Sequence, residues 1–135
     1  MPRPVSRHKV LVSLSQWEYL SRLAARRAEL AKKVDPKNRA IISTVKGFAE
    51  KVAAPPEEQV GDLFVLKTTR QELRFLEKAL TNEHAALLTA VIPGYMTREQ
   101  EFPDQADRYK AYREVATAKA QEINTILNLV KKALA

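Results

Sequence analysis

Residues 8–18, HKVLVSLSQWE, decide how this chain folds, because two periods meet inside them. Val10, Val12 and Leu14 alternate with Lys9, Leu11 and Ser13, and a period of two places alternate side chains on opposite faces of a strand. After Ser15 the apolar spacing becomes helical. Ser15, Gln16, Trp17, Glu18 reads as a capping box, in which the Ser15 hydroxyl accepts from the backbone N–H of Glu18 and the Glu18 carboxylate reaches back to the N–H of Ser15. A short strand feeding a capped helix to about Lys33 is the expectation.

On the C-terminal side, Asp35 and Pro36 predict a cap and first residue for a second helix, over about residues 36–53. The stretch AAPPEEQVGD then breaks the pattern, since Pro55 and Pro56 cannot continue a helix and Gly61 with Asp62 suits a turn. Organisation restarts with LFVLK, an apolar strand, and with Thr69, Arg70, Gln71, Glu72, a second capping box. The helix it opens is predicted to end near Ile92, before Pro93 and Gly94. Residues 95–103, YMTREQEFP, read as a loop. From about Asp104 to Leu134 the chain lacks Gly and Pro and its spacing is helical. At an offset of 54, Val10 matches Phe64, Leu11 matches Val65, Val12 matches Leu66, Ser15 matches Thr69 and Glu18 matches Glu72, which is consistent with a duplicated strand–helix–helix unit. Any strand feeding a capped helix gives a similar match. The fold expected is mainly α: a four-helix bundle-like single domain, residues 1–135, with one or two short β-strands. It comprises a basic half (1–53), a connector (54–61) and a helical half (62–135).

With 45% hydrophobic and 29% charged residues, the composition is that of a globular chain able to bury a core. The net charge of +7 is unevenly placed. Residues 1–51 hold twelve Lys or Arg against four Asp or Glu, and residues 52–135 hold eleven against twelve. A basic half suggests an anionic partner, of which nucleic acid is the commonest, although solubility alone also accounts for a basic surface. The N-terminal MPRPVSR has no apolar stretch of signal-peptide length, and no window approaches a membrane span, so a cytoplasmic protein without a membrane partner is expected.

Residues for chemistry are sparse. There is no cysteine, which excludes disulfides, thiolate metal sites and a cysteine nucleophile. His8 and His84 lack ligand spacing, Gly47, Gly61 and Gly94 are too scattered for a phosphate loop, and no serine sits in a nucleophile elbow. Glu99, Glu101, Asp104 and Asp107 suit a solvated loop and a helix start. The expectation is a non-enzymatic protein with no cofactor and no metal.

Residues 8–52 resemble the ribbon-helix-helix family of DNA-binding proteins in the run VLVSLS, the apolar spacing of WEYLSRLA, and NRAIISTVKGFAEKV at the place of the second helix. The resemblance implies an antiparallel two-stranded ribbon in the major groove, with Lys9, Leu11 and Ser13 outward and Lys37 and Asn38 near a phosphate. If the second strand completes the ribbon within one chain, Leu63, Val65 and Lys67 also face outward.

Two functional classes follow. The first is nucleic-acid binding, with Arg3, Arg7, Lys9, Arg22, Arg26, Lys33, Lys37 and Arg39 acting on phosphates or another polyanion. The second is a structural or adaptor subunit of a larger assembly, such as a viral particle or nucleoprotein. Its protein interface or self-association surface is then drawn from Tyr95, Met96 and Phe102 in the 95–103 segment and from Tyr112, Lys119, Ile123, Ile126 and Val130, a heptad seam of the last helix. An intramolecular bundle also uses such a seam.

Overall fold

The structure is a computed structural model that describes residues 8–135. It is mainly helical with a small three-stranded antiparallel sheet. The elements are β1 (His8–Val12), α1 (Leu14–Val34), α2 (Arg39–Ala53), β2 (Gln59–Val60), β3 (Leu63–Thr68), α3 (Arg70–Ala86), a π-helical turn (Leu87–Val91), α4 (Ile92–Glu101), a 3₁₀ turn (Pro103–Gln105) and α5 (Ala106–Leu134). Two compact units result. The first runs to Leu76 and includes Leu129–Ala135, and the second is Glu77–Asn128. The connector at 54–61 therefore falls inside the first unit, and the boundary lies within α3.

In the first unit β3 is the central strand. It pairs antiparallel with β1, with Val10 opposite Leu66, and with β2, with Val60 opposite Leu63. Gly61 takes φ +61 in the two-residue β2–β3 turn, a left-handed conformation that costs glycine nothing. Val10, Val12 and Leu66 of the sheet are buried, as are Trp17, Leu20, Leu23 and Ala24 of α1 and Val45, Phe48 and Val52 of α2. Two contacts lock α2 in place. The Trp17 Nε1–H donates to the Val52 carbonyl at 3.0 Å, and Lys51 Nζ donates to Glu72 at 2.6 Å. Glu72 also accepts from the Thr69 N–H at 2.8 Å while the Thr69 hydroxyl accepts from the Glu72 N–H at 3.2 Å, so the capping box expected there is formed.

The first capping box lies two residues earlier than expected. Ser13 is the N-cap of α1, its hydroxyl accepting from the Gln16 N–H at 3.1 Å and the Gln16 side chain accepting from the Ser13 N–H at 2.8 Å. Glutamine at the third helical position closes the box as well as glutamate does. With Ser13 equivalent to Thr69, the repeat offset becomes 56 rather than 54, and the burial pattern agrees with it. Val10 and Leu66, Val12 and Thr68, Trp17 and Leu73, Leu20 and Leu76, Leu23 and Ala79, and Ala24 and Leu80 are all buried. Val10 and Leu66 also face each other in the sheet, the arrangement that a local two-fold axis between the two strands produces.

The second helix also starts differently. Asp35 caps the end of α1, and its φ of −142 and ψ of 72 lie outside the helical region, where the ring of a following proline drives the preceding residue. Pro36 therefore ends α1, and Asn38 opens α2 with its side-chain oxygen accepting from the Ile41 N–H at 3.3 Å.

In the second unit, residues 95–103 are not a loop, because α4 reaches Glu101. Pro93 does not stop the chain from spiralling. The turn before it widens to π-helical, with the Ile92 N–H donating to the Leu87 carbonyl, and Pro93 occupies the first turn of α4, where a missing N–H goes unneeded. The Glu99 carboxylate receives two hydrogen bonds from Arg113, from Nε at 2.8 Å and from an Nη at 3.1 Å, and so ties α4 to α5.

Candidate nucleic-acid interface

Cross-strand partners share one face of a sheet. The pairs His8–Thr68, Val10–Leu66 and Val12–Phe64 share one face and Lys9–Lys67 and Leu11–Val65 the other, where Lys9, Lys67 and Leu11 are exposed but Val65, expected to lie open on this face, is buried at 7% exposure. The outward face is thus divided about the Val10–Leu66 pair. One end carries two exposed lysines directly opposite each other, and the other carries Leu11, 40% exposed, opposite the buried Val65. β2 extends the aliphatic end, since Val60, 56% exposed, pairs with Leu63, 38% exposed. Directly opposed residues have Cβ atoms about 5 Å apart, and like charges there destabilise a sheet. Neither lysine makes an ion pair with a described residue. Two exposed cations with no ion-pair partner among the described residues thus stand side by side on this face.

The other expected phosphate contacts are spread out. Arg3 and Arg7 lie outside the described residues. Arg22 and Arg26 are exposed on α1, Lys33 near its C-terminus, and Lys37 and Arg39 on either side of the α2 cap. The periodicity of the sequence does not select Lys67 for this set, because only the register of β1 against β3 sets it beside Lys9. The unit boundary sharpens the charge division. The described residues of the first unit hold fifteen Lys or Arg against eight Asp or Glu, and the second unit holds six against eight.

The residues expected to face a protein partner separate into two groups. Ile123, Ile126 and Val130 are 1%, 0% and 1% exposed, so the chain itself covers them. Their seam runs through Ala116, Ala120, Ile123, Leu127 and Val130, all buried. Lys119 borders this seam but is exposed, since at its level the buried residues are Ala116 and Ala120. Tyr112, Met96 and Phe102 are about half exposed, at 48%, 50% and 49%. The rings form a chain, with Tyr95–Tyr112 centroids 5.6 Å apart, Tyr109–Tyr112 6.3 Å and Phe102–Tyr109 6.3 Å, and the Arg98 guanidinium lies 6.0 Å from the Tyr109 ring. The hydrogen bonds from Arg113 hold the Glu99 carboxyl below its ordinary pKa, and the same contact raises that of Arg113.

Among the described residues no group of three or more His, Asp or Glu is placed to hold a metal ion, and no helix is long and apolar enough to cross a membrane. No family model, curated protein or solved structure matches the chain.

Proposed function

We propose that the protein binds nucleic acid through its phosphates, with the outward face of the β1–β3 ribbon as the contact and Lys9 and Lys67 as its centre. The observation that carries this reading is the cross-strand lysine pair. Two cations held side by side at a cost to the sheet are accounted for by an anion that bridges them. The basic excess of the first unit adds long-range attraction, to which Arg22, Arg26, Lys33, Lys37 and Arg39 contribute. Contact to phosphates places the protein without reading sequence; Leu11 and Val65 supply no hydrogen bonds to base edges. The test is fluorescence anisotropy with labelled duplex DNA, single-stranded DNA and RNA at low salt. The reading expects at least one of them to bind, and binding by none ends it.

The exposed rings of α4 and α5 favour a second reading, an adaptor that docks a protein through Tyr95, Met96, Phe102 and Tyr112. It predicts concentration-dependent association in sedimentation velocity, or a purified partner, lost in F102S/Y112S.

A further inference from the structure

Both helices of the α1–α2 hairpin carry an apolar stripe that continues past the core it serves. On α1 the stripe starts with Leu20, Leu23 and Ala24, all buried, and goes on to Leu30 and Val34, 47% and 72% exposed. On α2 it runs backwards from Val52, Phe48 and Val45, all buried, to Ile41, 51% exposed. No residue between Ala25 and Thr44 is buried. A hairpin tip that met only water would carry polar residues at these positions. The two stripes instead form a bare two-helix surface, and a groove between helices is filled well by a third one.

The rim of this surface identifies what fits it. From Lys32 to Arg39 there are four Lys or Arg against the single acid Asp35, and Lys32 lies 3.7 Å from Glu29, which leaves Lys33, Lys37 and Arg39 as the exposed cations of the rim. A second copy of the same tip would bring like charges together. A phosphate backbone would satisfy the cations and leave Leu30, Val34 and Ile41 in water. We infer that the tip of the α1–α2 hairpin docks an acidic amphipathic helix of a partner protein, whose apolar residues cover Leu30, Val34 and Ile41 and whose carboxylates meet Lys33, Lys37 and Arg39. This surface is separate from the ribbon face, and the inference stands whether or not the ribbon binds nucleic acid.

The experiment titrates the isotope-labelled protein with a synthetic helical peptide carrying Leu at i, i+3, i+4 and i+7 and Glu elsewhere. Controls are a peptide of the same composition in scrambled order, phosphatidylserine–phosphatidylcholine vesicles and duplex DNA. The variant is V34S/I41S, whose changes are at exposed positions and leave the core intact. The acidic amphipathic peptide is expected to shift amide resonances between Arg26 and Ile41, and to bind about tenfold more weakly when scrambled or when offered to V34S/I41S. DNA affinity should be unchanged in that variant. Equal binding by the scrambled peptide, or an unaffected variant, would reduce the surface to charge alone and overturn the inference. It would also be overturned if vesicles, and not the peptide, engaged Val34 and Ile41, or if V34S/I41S lost DNA affinity.

Discussion

Ser13 shows how a single position organises much of the chain, and how it escapes a reading by pattern. Two serines precede Trp17 at the right distance from a Gln or a Glu, and both SLSQ and SQWE satisfy the capping-box pattern. What decides between them is where the strand stops: Val12 is the last residue to pair with β3, so Ser13 is free to turn. Replacing Ser13 by Ala should cost about 1 kcal/mol in urea denaturation, whereas Ser15→Ala should change stability by only a few tenths. Lys67 was legible as an outward residue of a ribbon, but its role needed the register that sets it against Lys9. Substituting Lys67 by Gln relieves the repulsion, so the variant should gain up to about 1 kcal/mol in stability while losing nucleic-acid affinity. A loss of both would mean that Lys67 acts in folding. In the second unit, Glu99 has its folded-state pKa lowered by Arg113, so the pair stabilises above the ordinary glutamate value and that contribution is lost as pH falls through the depressed one. The protection factors of the α4 amides, taken relative to the intrinsic exchange rate at each pH, should therefore fall on acidification in the wild type, and much less so in E99Q, where the carboxylate is already gone.

Among the elements, β1, β3, α1, α3 and α5 were legible because each has a strong period and a recognisable start, whereas the two-residue β2 lay hidden in the expected connector and prolines misled twice and in opposite directions. Pro36 follows Asp35 and resembles a helix opening, yet its ring forces Asp35 out of the helical region and so closes α1. Pro93 resembles a stop, yet a five-residue π turn absorbs it and α4 continues to Glu101. The neighbouring turn, not the proline, settles which outcome occurs. The seam of α5 is buried at Ile123 and Val130 as its spacing suggests, whereas Lys119, one heptad before the buried Ile126, is exposed, because the buried residues of that turn are Ala116 and Ala120, on the other side of the seam. Since Ile123 and Ile126 are covered within the chain, Ile126→Ala should cost about 2–5 kcal/mol in denaturant melts. An exposed interface position would tolerate the same change.

Across the whole molecule, the division of charge visible in the first 51 residues follows a structural boundary at Leu76, and three surfaces lie in known units: a lysine-bearing sheet face and a cationic, apolar hairpin tip in the first, and an aromatic face in the second. The sequence carried the charge and the aromatic residues plainly. It could not show that Lys9 meets Lys67 or that Leu30, Val34 and Ile41 are left bare, since both are consequences of tertiary placement. The central claim, that the ribbon's lysine pair contacts phosphates, is tested most directly by the salt dependence of DNA or RNA affinity in the wild type and in K9Q/K67Q, between about 50 and about 200 mM salt. Each phosphate contact contributes about 0.9 to the slope of log affinity against log salt for duplex DNA and about 0.7 for single strands. The account predicts weaker binding by the double variant, with a shallower slope by about 1.4–1.8. A double variant with the wild-type slope and affinity would contradict it.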